Sequence, residues 1–261
     1  MAVTNFIQTI WSKKIQDDLE LKCKLVDNCT RDYEGDCKYA QSVKILGVGE
    51  PTIGDYTGAD INIEEMSDRS QILTIDQQKY FAFYVDDVNQ AQSVPGLPEK
   101  YQEKAVHGLA VARDTYVATL IAAATNKTTI AAMTADGAKE AVDAGIVALR
   151  ERNFDEEGVI EMTPAFYNLF KNWLITTSTN NPELIKKGVV GMYDTFQCIM
   201  SNNLKTPCAI RGKKAIAFAG QINEVEALRA EKKFKDIIRG LDTFGAKVID
   251  EKRIQVLVAS V

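Results

Sequence analysis

The stretch from Gln71 to Asn126 constrains this chain more than any other. Its first part, QILTIDQQKYFAFYVDD, places Leu73, Ile75, Phe81, Phe83 and Val85 on odd positions, with Asp76, Gln78, Tyr80, Tyr84 and Asp86 on even ones. The period of two is interrupted at Gln77 and Lys79 and predicts a β-strand over residues 71–85 with one buried face. At about 3.3 Å per residue such a strand reaches roughly 50 Å, more than most compact domains use. Its second part opens on Pro95-Gly96-Leu97-Pro98, a turn that supplies a proline for a helix start. Tyr101, Ala105, Leu109, Ala112, Tyr116, Leu120 and Ala123 then recur at helical spacing, widened by Val106, Ala110, Val117 and Ile121. Glu103, Lys104, Arg113 and Asp114 are left to face water. A helix of about 28 residues is roughly 42 Å long, a reach that suits a protein which spans or tiles a surface better than one which wraps a pocket.

The remaining composition narrows the class. The 261 residues are 46% hydrophobic and 26% charged, enough material for a core that needs neither metal nor disulfide. The net charge of −5 comes from well-mixed acids and bases with no lysine- or arginine-rich block, which argues against a dedicated nucleic-acid surface. Cys23, Cys29, Cys37, Cys198 and Cys208 are odd in number and form no C-x-x-C pair. Such a set speaks against a zinc site or a complete disulfide framework and fits a reducing cytoplasm. The start, MAVTNFIQTIWSKK, lacks a signal-peptide pattern, and no run of apolar residues is long enough for a membrane span.

Taken in order, residues 3–26 form an amphipathic segment marked by Ile7, Ile10, Trp11, Ile15, Leu19, Leu21 and Leu25, which docks on something else or on the core. Phe6 and Trp11 would be odd on the surface of a monomer. Residues 31–70 are glycine-rich: Ser42–Val48 reads as a strand and Ile61–Ile63 as the stub of another. With the strand that follows they make a long hairpin that has too few large apolar side chains for its own core. Such a hairpin stays mobile or packs on a neighbour. Beyond the long helix come a polar turn over 126–134, a helix from Ala135 with Ala138, Val142, Ile146 and Leu149 on one face, a strand Gly158–Met162 and a helix Ala165–Trp173. Strands follow at 188–194, 195–200 and 214–219. Near the end, strands at 236–240 and 246–249 flank a turn LDTFG, and Ile254–Val258 closes the chain. Helices and strands without a regular βαβ alternation mean α+β.

Chemistry is sparse. His107, the only histidine, sits inside the long helix with no nucleophile motif beside it and reads as structural. Asp86-Asp87 is a carboxylate pair at the junction before the helix, read as loop chemistry before acid–base work. Gly47-Val48-Gly49 neither opens a helix nor carries a P-loop lysine. Arg150, Arg152, Lys186 and Lys187 read as solvated charges, and the cysteines at 23, 29 and 37 as free thiols. No catalytic residue, cofactor or metal ligand is assigned.

The blocks NFIQTIWSKKIQDDL, RDYEGD, SVKI, PTIGDYT, LTIDQQKYFAFYVDDVNQAQ, SNNL and VEALRAEKKFKDIIRGLDTFGAKV resemble, in content and order, the major capsid proteins of tailed bacteriophages. That family has the Hong Kong 97-type fold, and the resemblance covers nearly the whole chain. It implies an N-terminal arm over 1–32, an extended E-loop hairpin over 33–80 laid on the next subunit, a peripheral domain with a long spine helix over 81–128, an axial domain over 129–220, and return strands of the peripheral domain over 221–261. It places Phe6, Trp11, Tyr33, Ile45, Tyr56 and Ile61 at subunit interfaces. It implies self-assembly through hexamers and pentamers into an icosahedral shell that encloses double-stranded DNA without sequence-specific binding, formed in the host bacterial cytoplasm and ending in the virion. The partners it implies are further copies of the chain, with a separate scaffolding protein, a portal and decoration proteins, and no membrane. The scaffolding extension that some members carry ahead of the arm has no counterpart here, so scaffolding would come from a separate protein or the sequence is already mature. The rival expectations are an encapsulin-like compartment and, from another class, a small hydrolase using Asp86, Asp87 and His107.

Overall fold

The computed structural model describes residues 23–34, 42–48, 68–86, 97–177, 191–229 and 235–260. The period-two stretch is two strands and not one. β2 (Asp68–Thr74) pairs with β1 (Ser42–Val48), whereas β3 (Gln77–Asp86) belongs to a different sheet, and the chain breaks between them at Ile75 and Asp76. A continuous 50 Å strand is therefore replaced by two shorter ones, because each half finds its hydrogen-bonding partner in a different place. The alternation survives the break: Leu73 is buried and Phe81 and Phe83 are half-buried, while Tyr80 and Tyr84 face out.

Helix α1 (Leu97–Ala123) has the expected length but is rotated about its axis. Its buried positions are Gln102, Val106, Leu109, Ala110, Arg113, Asp114, Val117, Ala118 and Ile121, while Tyr101 and Ala123 are exposed. The expected solvent positions of Glu103 and Lys104 hold; those of Arg113 and Asp114 do not. The apolar stripe is wide enough to be centred on either of two neighbouring rows, and packing on two sides selects the row that contains the charges.

On one side of α1 lies an antiparallel three-stranded sheet in the order β3-β10-β9, with β9 at Ile216–Arg229 and β10 at Lys235–Val248. The expected turn at LDTFG is a correction: β10 runs straight through it. Asp242 and Phe244 are buried there, against Arg113 and against Phe218 and Tyr116. The irregularity that the polar residues suggested is absorbed as a bulge, where Leu241 pairs with Glu224 but Asp242 pairs with Ile222. Gly245 allows this sheet to touch the hairpin, since a Cβ there would sit 2.1 Å from the Thr74 carbonyl oxygen.

The second large sheet has six strands in the order β4-β11-β8-β5-β7-β6, with β5 (Gly158–Met162) and β8 (Cys208–Gly212) buried at every residue. β7 is Phe196–Met200 and β6 Met192–Tyr193. Strand β4 (Lys127–Ile130) lies where a polar turn was expected; its β-branched Thr-Thr-Ile run lies parallel to β11 (Ile254–Ala259). Helix α2 (Ala135–Arg150) covers one face with Ala138, Val142, Ile146 and Leu149, all buried as expected, beside Phe166 and Phe170 of α3 (Pro164–Thr177). Thr134 caps α2 by accepting from the Gly137 N–H, a bond of the standard N-cap kind. The opposite face, through Ala209, Ile254 and Val256, shares a cluster with α1 and with Cys23, Leu25, Val26 and Cys29.

The base of the hairpin has a small core borrowed from β9. Val43, Ile45 and Leu73 pack on Ala217 and Ala219. The expected strand stub at Ile61–Ile63 and residues 178–190 and 230–234 lie outside the described residues, as does the N-terminal segment before Cys23. Replacing Gly245 by Ala forces backbone apart at the contact between β2 and β10, so the expected loss is about 2 kcal/mol or more, measurable by urea unfolding followed by circular dichroism.

Candidate assembly surface and the charges beneath it

Helix α1 sends two consecutive charged side chains to two different neighbours. Arg113 donates from Nε and Nη2 to the Asp242 carboxylate at 2.9 and 2.5 Å, and its guanidinium lies over the Phe218 and Phe244 rings. Asp114 accepts the backbone N–H groups of Lys24, Leu25 and Val26 at 3.0, 3.0 and 3.2 Å. A buried carboxylate surrounded by three N–H donors is solvated by the chain in place of water.

A second buried charge meets the same short segment. Arg211 of β8 makes a bidentate pair with Glu161 of β5 and donates to the carbonyl oxygens of Leu25 and Asn28 at 2.7 and 2.8 Å. Desolvation works against the Arg211 charge, but Glu161 and Cys29 beside it raise its pKa on balance, while burial pushes the Glu161 carboxyl up. Thr30 then bridges to Ala217, its N–H donating to Ile216 and its carbonyl accepting from Phe218. Residues 23–30 are thus tied to the helix, to the six-stranded sheet and to the three-stranded sheet. None of Arg113, Asp114, Glu161, Arg211 or Asp242 was singled out from sequence as a buried group. The one available signal was that Arg113 and Asp114 fall within the apolar row of Leu109, Ala110 and Val117.

Above these charges the outer face of the three-stranded sheet is aromatic. Tyr80 and Tyr84 are 80% and 69% exposed, and Leu241 stands directly opposite Tyr80 on the same face. The Arg239–Glu226 pair lies beside them. Along the edge of β2, Ile72 is exposed at a shallow groove formed with Lys247, Val248 and Ile249. Apolar groups aligned in this way on one sheet face are the usual mark of a contact surface.

Of the six side chains expected at interfaces, Phe6, Trp11, Tyr56 and Ile61 lie outside the described residues. Tyr33 is half-buried against the base of the hairpin, and Ile45 is 4% exposed within that same cluster. His107 is exposed on α1; Asp86 ends β3 and Asp87 lies outside the described residues. Among the described residues nothing gathers a hydrolytic constellation around His107, and no group of three or more metal-ligating side chains occurs. Arg150 pairs with Asp194, and Arg152 reaches Gln255 and the Ala148 carbonyl. Cys23, Cys29, Cys198 and Cys208 are free thiols, and burial pushes Cys23 and Cys198 up to about 12.

No protein-family model matches the chain, and no curated protein does. Solved structures do. A structure of Mycobacterium phage Che8 superposes with a TM-score of 0.78 at 25% identity, covering 90% of each chain. The capsid of cyanophage P-SCSP1u gives 0.70 at 17% identity over 85% of this chain and 84% of that one. A virus-like particle from Pyrococcus furiosus gives 0.63 at 14% identity over 96% and 99%.

Replacing Arg113 by Met leaves Asp242 charged and buried without its partner, an expected cost of about 3–5 kcal/mol, whereas the double replacement with Asp242→Leu costs less than either single one. Denaturant unfolding of the four proteins in that cycle measures the difference. The buried thiols give a pH dependence. Their folded values lie above the ordinary 9.0, so the stability they contribute is complete below that value and is lost as pH rises from about 9 toward 12. The urea midpoint is expected to fall over that range and to fall less in Cys198→Ala.

Proposed function

We infer that this chain, whose fold is the Hong Kong 97 type, is the major capsid protein of a tailed bacteriophage or prophage. The observation that carries this reading is the match to the mycobacteriophage structure, which covers nine-tenths of each chain. The work of such a protein is assembly. Copies gather into hexamers and pentamers, and these close an icosahedral shell around double-stranded DNA. The neighbours in fold are structural shell proteins, and the chain is read as one too, with no reaction to catalyse.

The division of labour proposed for the chain follows its buried clusters. Residues 1–32 are the arm and 33–80 the E-loop hairpin, each reaching a neighbouring copy. Residues 81–128 with the return strands of 221–261 form the peripheral domain. This is supported by the cluster that α1 shares with Phe81, Phe83, Ile238 and Phe244. Residues 129–220 form the axial domain, supported by the separate cluster of α2, α3 and the six-stranded sheet. The last strand, β11, lies in that six-stranded sheet, so the return strands proper are β9 and β10. Phe6, Trp11, Tyr33, Tyr56 and Ile61 are proposed to contact neighbouring copies, and Ile45 to fix the base from which the hairpin reaches. Tyr80, Tyr84 and Leu241 add a described face to that set.

A net charge of −5 suits a wall that encloses DNA without gripping it, since neutralising many phosphates binds tightly. A separate scaffolding protein, a portal and decoration proteins are the further partners proposed, with assembly in the host cytoplasm. The likeness to the Pyrococcus particle, which spans both chains almost fully, supports a second reading, an encapsulin-like compartment with another cargo. The higher TM-score to the phage structure puts that reading second.

Expressed alone, the protein is expected to form capsomer rings or closed shells of megadalton mass, seen by negative-stain microscopy and light scattering. A monomer that resists proteolysis throughout residues 33–80 would overturn the assembly reading. Trp11→Ala with Tyr56→Ala is expected to reduce closed shells at least several-fold, with an unchanged circular dichroism spectrum.

A further inference from the structure

Residues 23–30 are the last stretch of the proposed arm, just before the hairpin that begins at residue 33. Leu25 and Val26 are buried in the cluster around α1, and Lys24, Asn28 and Thr30 make side-chain bonds to the chain nearby. The backbone is held as well, taken from both sides by opposite charges. The Asp114 carboxylate receives N–H groups at three consecutive residues, and the Arg211 guanidinium supplies donors to two carbonyls three residues apart. Glu161 fixes the Arg211 fork from behind with two further bonds. Asn203 adds a longer contact to Asp114, Lys24 reaches the Met200 carbonyl, and Asn28 folds back onto the Lys24 carbonyl. All three ionised groups of this arrangement are essentially fully buried.

We propose that Asp114, Arg211 and Glu161 form a backbone clasp, a fixed pivot at residues 23–30 that sets where the chain before Cys23 enters the fold. The reasoning is mechanical. The segment is bonded directly to α1, β8 and β9, and through Arg211 it is tied to Glu161 of β5. The position of this segment is therefore set by three different parts of the core. Buried charge-assisted bonds resist small displacements more steeply than apolar contact does, because they depend on direction as well as distance. Contacts between the copies of a shell add up only if each copy starts its reaching segments from the same point. In that respect the clasp rests on the capsid reading; its geometry does not.

Hydrogen exchange of the full-length protein, read by mass spectrometry, tests it. In the unaltered chain the amides of Lys24, Leu25 and Val26 are expected to be protected to within about tenfold of those in β5 and β8, although no strand ladder pairs them. Fast exchange at these three would overturn the clasp, and this measurement needs no variant. In Asp114→Asn, exchange at 24–26 is expected to rise about tenfold or more while β5 and β8 are unaffected. A uniform rise, or none, would overturn it. The same variant is expected to form capsomer rings but several-fold fewer closed shells than the unaltered chain. Closed shells in undiminished number would show that the pivot plays no part in assembly. If the unaltered chain forms no shells while the exchange pattern holds, the capsid reading fails and the clasp stands.

Discussion

Two adjacent residues of one helix, Arg113 and Asp114, hold the structure together in different directions. Arg113 fastens α1 to β10 through Asp242, and Asp114 fastens α1 to the segment that enters the fold at Cys23. Opposite charges at neighbouring positions point about 100° apart around a helix, so each reaches its own partner without competing with the other. Removing water from such groups is expensive, and each is stable only because its partner geometry is complete. The rotation of the helix is therefore determined by these bonds as well as by its apolar row, since any other rotation would take Arg113 away from Asp242 and leave that carboxylate buried without its partner.

The same logic governs the six-stranded sheet. Its two faces serve different partners: Ile160, Met162, Cys208 and Ile210 face α2 and α3, while Glu161 and Arg211, one residue out of phase, face residues 23–30. The period of two sorts the strands into an apolar side and a side that carries one ion pair. Apolar burial supplies most of the cohesion, and the ion pair supplies position. In a shell subunit the distinction matters, because contacts between copies are individually weak and add only if each subunit presents its reaching elements at a reproducible angle.

The parts of the fold set by local periodicity were legible in the sequence. Ser42–Val48, Gly158–Met162, the buried face of α2 and the closing strand all followed from it, and the order of sequence blocks led to the capsid fold. The errors fell where a partner distant in sequence decides. LDTFG has the composition of a turn, but Asp242 is neutralised by Arg113, 129 residues away, and Phe244 is roofed by Phe218 and Tyr116. Lys127–Ile130 is too short to declare itself and becomes a strand because β11 lies beside it. The break at Ile75–Asp76 shows in the sequence only as the interruption at Gln77 and Lys79, because the alternation resumes in phase beyond it.

By itself the sequence determined which residues alternate, which recur every three or four positions and where glycine and proline interrupt them, because those patterns act between near neighbours. The tertiary structure alone decided which of two adjacent rows of α1 is buried, which polar residues are taken from water, and which strand edges meet. Those outcomes depend on the free energy of pairing groups far apart in the chain, where a charge is tolerated inside only if a distant residue arrives to meet it.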